Sequence, residues 1–427
     1  MSNRFIAIKD MIMTDAMAKH SIMMLAFSLL GILLNYMFQL AIGWLLTPED
    51  YGIVISLLSL LVIFSVFSIT IDTTITKFVS KESTRNELGK VHYLWRFALK
   101  RTFLLGLAIF IVLTLLTPVI SRFLNSGNNW YPIILFFSLV LTFALQANFG
   151  TLRGLQRFWE LGISGSLLVL LKLTIAIVLI YMGFRVSGAL LALTLSCVIV
   201  FFLSTYFLRD LFTAGNEKVK VSGVRSYTGF TFLVLLAFTM LTNVDVILAK
   251  HYLSAVDAGN YSAISVMGKV PFFVPGAITI VMFPKTSQLF EMGGAHSSVL
   301  RKAILLTSLL AGGVVIIYGF FPQFIINVLF LGKYSTTSPY LFRYGLAMAF
   351  FAVSNLLIFY FLSLNRTMVA YPLLGAMLVQ VILIVLFHNN ISRIVSIMLL
   401  SSVICLMLML FFYLRVRNDI SHNASIQ

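Results

Sequence analysis

A chain of 427 residues that is 60% hydrophobic and only 10% charged cannot coat itself with a water-facing surface, which in soluble domains takes about 25% charged residues. Its net charge of +16 would suit a nucleic-acid partner in a soluble protein. Here the basic residues gather in short segments between apolar runs, which is a topology signal, and no nucleic-acid partner is expected.

The runs are continuously apolar, and each approaches the ~20 residues that carry a helix across ~30 Å of hydrocarbon. A barrel would alternate instead. In chain order they predict spans near 20–46, 52–76, 100–121, 131–150, 161–182, 187–208, 228–250, 259–284, 303–328, 339–362, 369–387 and 393–414. The polar start, with Arg4, Lys9 and Lys19, leads directly into the first span without a cleavable-signal pattern. Cys197 and Cys405 fall inside spans as small packing residues, with no disulfide framework.

The intervening segments alternate in charge. One set carries Lys77, Lys81, Arg85, Lys90, Arg96, Lys100 and Arg101, then Arg153 and Arg157, then Arg209, Lys218, Lys220 and Arg225, then Lys285, Arg301, Lys302 and Arg366, and last Arg415 and Arg417. The other carries Arg122, Arg185, Lys250, Lys333 and Arg393, with Arg343 just inside a span. Lys and Arg are retained on the cytoplasmic side, so both termini are expected there, in a multi-pass protein of the cell membrane. The longest cytoplasmic segments, near 77–100, 209–227 and 285–302, are too short for a folded catalytic domain.

Two echoes indicate a duplication. Leu46-Thr47-Pro48-Glu49-Asp50-Tyr51-Gly52 joins spans one and two, and Leu253-Ser254-Ala255-Val256-Asp257-Ala258-Gly259 joins spans seven and eight, 207 residues later. Leu155-Gln156-Arg157 corresponds in the same way to Leu364-Asn365-Arg366, 209 residues later. A six-span unit repeats in the same membrane orientation, so the expected fold is an all-α membrane protein of about twelve transmembrane helices. It forms two six-helix bundles related by a pseudo-twofold along the membrane normal. The expected division is a cytoplasmic N-terminus over 1–19, bundles over 20–208 and 228–414, a linker over 209–227 and a tail over 415–427. Two facing bundles suit alternating access, which points to transport.

Three motifs resemble the polysaccharide exporter branch of the multidrug/oligosaccharidyl-lipid/polysaccharide (MOP) superfamily, the Wzx-type flippases, whose bundles are MATE-like. The Leu46–Gly52 turn is similar to the family's L-[ST]-P-x-[DE]-[YF]-G. Thr242-Asn243-Val244-Asp245-Val246-Ile247-Leu248-Ala249-Lys250 resembles its N-x-D-x-x-[LI] stretch, with Lys250 and His251 in place of a Gly-containing end. Gly154-Leu155-Gln156-Arg157 resembles its G-L-x-R. The resemblance implies translocation of a polyprenyl-(pyro)phosphate-linked oligosaccharide for cell-surface polysaccharide assembly. It implies membrane lipids, that substrate and polysaccharide assembly enzymes as partners, and a unit that works as a monomer.

Ionisable residues at membrane depth are costly and face a cavity or a partner. Lys172 in span five and Lys269 in span eight are candidates to neutralise a phosphate, against snorkelling or pairing with an acid. Arg153 and Arg157 cap span four, for headgroup contact or for capture of the pyrophosphate. Asn35 and Gln39 share a helix face at i, i+4 and suit sugar hydroxyls or interhelical packing. Asp245 is a candidate for coupling to Na⁺ or H⁺, or for a pair with Lys269 or Lys250. Asp72, among Thr70, Thr73, Thr74 and Thr76, is a second coupling candidate or an interfacial residue. Gln380, Asn355 and Arg343 are weaker candidates. Pro271 and Pro275 are expected to bend span eight.

No G-x-x-x-x-G-K-[ST] loop occurs, so the chain is not expected to be an ATPase. The six His residues lack ligand spacing, and neither metal, cofactor nor enzymatic activity is expected. The competing reading within the superfamily is a cation-coupled exporter of small molecules or drugs, for which an acidic cavity would be expected. A major-facilitator carrier is discounted, because Thr76-Lys77-Phe78-Val79-Ser80-Lys81-Glu82 lacks that family's loop motif. A membrane glycosyltransferase is discounted for want of a large external loop.

Overall fold

The turns that echo each other in sequence use the same helix-start chemistry. Thr47 precedes a helix with Pro48 in its first position, and its hydroxyl accepts from the Asp50 amide at 3.3 Å. Ser254 does the same for Asp257 at 3.1 Å and also donates to the Asp257 carboxylate at 2.8 Å. A hydroxyl N-cap satisfies an amide that the first turn leaves orphaned, and the acid three residues on complements the helix dipole.

In a computed structural model the described residues are 16–424, apart from 86, 216, 220–224, 293–296 and 365. Arg4, Lys9, Lys220, His296 and Asn365 therefore lie outside them. The helices are α1 (Ala16–Leu45), α2 (Pro48–Ser83), α3 (Leu88–Leu115), α4 (Thr117–Phe123), α5 (Trp130–Gly154), α6 (Phe158–Leu179), α7 (Arg185–Phe207), α8 (Arg225–Leu241) and α9 (Val244–Tyr252). Then follow α10 (Ala255–Gly268), α11 (Val270–Phe273), α12 (Gly276–Glu291), α13 (Ser297–Phe320), α14 (Pro322–Phe330), α15 (Ser338–Ser363), α16 (Ala370–Leu386) and α17 (Ile391–Ala424). No strand occurs among the described residues.

Nine helical stretches are long and apolar enough to cross a membrane among the described residues, and two bent pairs bring the number to eleven. One stretch, Phe158–Phe207, holds both α6 and α7, which fold back along each other at Gly183 (φ +92°). The total is compatible with twelve crossings. Span seven is broken: α8 and α9 meet at 42°, at Thr242 and Asn243. Span eight is also bent by 42° where Val274 and Pro275 interrupt it, the bend that its prolines predict.

The charged segments are more helical than the sequence reading places them. No Gly or Pro occurs between Gly52 and Gly89, so α2 continues for 36 residues and carries Lys77 and Lys81. Arg96, Lys100 and Arg101 lie on α3, and Lys285 on α12.

The chain divides into two compact units. The first comprises Met1–Leu46, Phe67–Arg122 and Ser126–Gly223. Within it α1 packs on α6, α6 on α7, and the largely buried α5 takes α3 on one side and α7 on the other. Gly150 and Gly154 let the inner part of α2 approach α5, since a Cβ at either would meet Ile75 at 2.9 Å or Val79 at 2.7 Å. Such small-residue spacing is how helices come close in a membrane, where apolar burial between them gives little.

The second unit comprises Thr47–Val66, Phe123–Asn125 and Val224–Gln427. Its internal pairing repeats the first: α8 packs on α16, α16 on α17, and the buried α15 takes α13 and α17. In it the two echoing turns meet. A Cβ on Gly52 would lie 3.0 Å from the Gly259 amide nitrogen, and one on Gly259 would overlap the Pro48 carbonyl.

Candidate functional site

The predicted residues fall into three groups. In the first unit, packing of α1 against α6 brings Lys172 to the face of α1 that carries Asn35 and Phe38. The Lys172 ammonium donates to Asn35 Oδ1 at 2.5 Å and stands 4.5 Å from the centre of the Phe38 ring. Both partners are neutral, and the ion pairs formed among the described residues do not include Lys172. A cation–π contact and one amide stabilise an ammonium far less than a carboxylate does, so its positive charge is largely uncompensated. Gln39 is half-buried one turn on from Asn35 and makes no side-chain hydrogen bond. Sequence spacing alone had no means of joining Asn35 to a lysine 137 positions away.

At the predicted cytoplasmic end of the same unit, Arg153 forms an ion pair with Asp72 across the glycine-lined approach of α2 and α5. Arg157 forms a two-pronged pair with Asp210 and also donates to the Phe207 carbonyl at 2.8 Å. Outside the spans, the Arg157 guanidinium holds the Asp210 carboxyl below the usual carboxylate range. Both arginines are thus engaged by acids. The segment after α7 is further held by His92 Nδ1, 3.1 Å from the Ala214 carbonyl, and by the Glu217 amide donating to the Gly89 carbonyl.

The third group belongs to the second unit and grows out of the break in span seven. Interrupting a helix in hydrocarbon frees backbone groups that must find partners. The Asn243 side chain donates back to the Thr239 carbonyl at 2.9 Å, and Gln380 on α16 donates to the Leu241 carbonyl at 2.9 Å. This places Asp245 in the first turn of α9, where the helix dipole favours an anion. Its side chain is fully buried. One carboxylate oxygen, Oδ2, accepts from the hydroxyls of Tyr261 at 2.8 Å and Tyr344 at 2.7 Å. The other, Oδ1, has no partner. Lys269 donates to Asn243 Oδ1 at 3.0 Å and interacts with the Asp245 charge without contacting it. Gly268 is what lets the Tyr344 ring lie against α10, because a Cβ there would overlap it.

Lys250, the other partner considered for Asp245, is buried at the far end of α9 and interacts instead with Glu49 and Asp50. Arg343 reaches Ser392 and Ser396 on α17. Sequence reading missed Tyr261 and Tyr344, since nothing in their spacing ties them to Asp245. Asn243 had a signal, its place beside Asp245 in the N-x-D stretch.

A carboxylate with one oxygen saturated and the other bare can accept a proton or ligate a small cation. A lysine held only by neutral groups can attract an anion.

The fold is that of the MOP superfamily transporters. The chain covers 93% of its own length and 98% of an inward-facing multidrug resistance MATE family transporter of that superfamily, with a TM-score of 0.74 at 14% identity. It also aligns with the lipid II flippase MurJ in an inward closed conformation, covering 91% of this chain and 87% of that one, with a TM-score of 0.69 at 14% identity. An outward-facing MATE family transporter matches with a TM-score of 0.63 at 17% identity, covering 95% and 96% of the two chains. No curated protein matches. The polysaccharide biosynthesis protein family model matches residues 17–290, and the chain belongs to that family.

Proposed function

We propose that the protein is a flippase that carries a polyprenyl-(pyro)phosphate-linked oligosaccharide across the cell membrane by alternating access, with both termini in the cytoplasm and no enzymatic step. The observation that carries this reading is Lys172, a cation at membrane depth whose partners, Asn35 and Phe38, leave its charge uncompensated. Such a group is retained in hydrocarbon at a cost, and an anionic headgroup passing through would offset it. The family's link to polysaccharide biosynthesis supports a glycan cargo.

Asp245 supplies the coupling. Its bare Oδ1 takes up H⁺ or Na⁺, which neutralises the carboxylate and changes the field at Lys269. A multidrug resistance MATE family transporter has the same fold; Asp245 would suit a cationic drug as cargo, but Lys172 repels one. The anionic reading accounts for both residues.

The test is reconstitution in vesicles loaded with a polyprenyl-pyrophosphate-linked oligosaccharide, following its appearance in the outer leaflet with imposed Na⁺ or H⁺ gradients. Protein-dependent translocation accelerated by one gradient is expected. Transport of organic cations with no movement of the glycolipid would replace this reading by the exporter.

A further inference from the structure

Several intramembrane amides of this protein are engaged. Asn148 takes the Trp95 indole at 2.8 Å and donates to Ser204 and Thr205 at 2.8 and 2.9 Å. Gln380, Asn243 and Asn35 are bonded as described above. Asn355, in the second half of α15, makes no side-chain hydrogen bond and is half-buried, as are Gln39 and Gln146. It opens on a pocket of about 330 Å³ lined by Gly276, Thr279 and Phe283 of α12 and by Asn355 and Phe359 of α15. An amide has two donors and two acceptor sites, and leaving all of them unmet within a bilayer is costly. A polar ligand or water in the pocket would meet it.

The lining says which ligand. Among the described residues no charged side chain lines the pocket, which disfavours phosphate and cations. Thr279 adds one hydroxyl, and residues 276, 279 and 283 share a helix face, as do 355 and 359. The Phe283 and Phe359 rings meet edge to face, at 6.0 Å and 86°, so the pocket presents both an aromatic edge and an aromatic face. The electron-rich face of a phenyl ring attracts the polarised C–H groups of a pyranose, and the amide and hydroxyl meet its O–H groups. The volume lies at the small end of ligand sites and admits one or two rings.

We infer that this pocket is a subsite for a neutral sugar ring of the transported glycan, read by Asn355 and Thr279 and stacked on Phe283 and Phe359. The inference rests on the flippase reading for its cargo, yet its chemistry can be tested apart from transport. Detergent-purified protein is titrated with a panel of methyl hexopyranosides and methyl N-acetylhexosaminides, and binding is followed by saturation-transfer NMR. At least one glycoside is expected to bind the wild type, with affinity about fivefold or more weaker in Asn355→Leu and in Phe359→Leu. Asn355→Gln should restore part of it. Melting temperatures within the wild-type range establish that the variants are folded, and a variant that fails this is replaced by Thr279→Val.

Binding of no glycoside by folded wild type, or equal affinity in Asn355→Leu, overturns the subsite even if vesicles translocate the glycolipid. Conversely, Asn355-dependent sugar binding in a protein that translocates no glycolipid keeps the subsite and removes the flippase reading.

Discussion

Lys172 and Lys269 look alike in sequence, each a lone lysine in an apolar span, but the two units treat them differently. In the first unit Lys172 meets an amide and an aromatic ring, with no acid in contact. In the second, Lys269 stands on Asn243 beside a buried Asp245 clamped by two tyrosines. The same residue type thus makes an anion-attracting point in one bundle and part of a nearly neutral, titratable cluster in the other. Duplicated halves need not share electrostatics: the helix pairing repeats, whereas the chemistry has diverged.

The largest effect that would sharpen this contrast is expected from Asp245→Asn. It keeps an oxygen for Tyr261 and Tyr344 but removes the charge, so gradient-driven transport should fall about tenfold or more, the scale of a strong coupling energy. The residual rate should no longer respond to the gradient. A variant that keeps wild-type gradient dependence would break the assignment of coupling to this cluster.

Next in size is the response of stability to losing each lysine. Lys269→Met leaves the Asp245 carboxylate buried without its counter-charge, and should cost about 1–3 kcal/mol, less than a directly contacting buried pair. Lys172→Met removes a charge with no acid partner, and should leave the melting temperature unchanged or raise it. Equal losses in both would erase the distinction between the units. Tyr344→Phe is expected on the same scale, at about 1.5–3 kcal/mol for a hydrogen bond to a charged group, read by thermal unfolding in detergent.

The smallest effect concerns the Arg157–Asp210 pair. It lies near the surface and is screened, so Arg157→Gln should cost about 0.2–1 kcal/mol at neutral pH. The sign with pH follows from the lowered Asp210 carboxyl. The contribution is full above the unfolded carboxylate pKa of about 3.9 and disappears as pH falls through the lower folded value. Wild type and Arg157→Gln should therefore converge in melting temperature only in strong acid.

The spans, the duplication and the bend at Pro271 and Pro275 were legible because they rest on local apolar length, turn chemistry and missing backbone donors. That Gly52 and Gly259, which each close an echoing turn, also meet in space became visible only in the fold. Helix ends were less legible: Lys77 and Lys81 read as loop by charge, but no breaker stops α2 there. The break at Asn243 was hidden inside an apolar run, because its cause is tertiary, with Gln380 of α16 supplying a donor to the freed carbonyl. For the site, Lys172, Asn35 and Asp245 announced themselves by polarity at depth. What holds them, Phe38, Tyr261 and Tyr344, is ordinary for a membrane helix and became visible only once α1 met α6, and α10 met α15.

Lys172 is where the account stands or falls. Translocation of the polyprenyl-pyrophosphate glycolipid should be timed in matched vesicles holding wild type, Lys172→Arg or Lys172→Gln. The expected result is near-wild-type transport with arginine and a fall of about fivefold or more with glutamine, on the scale of one charge-assisted contact. Glutamine transporting at the wild-type rate would contradict it.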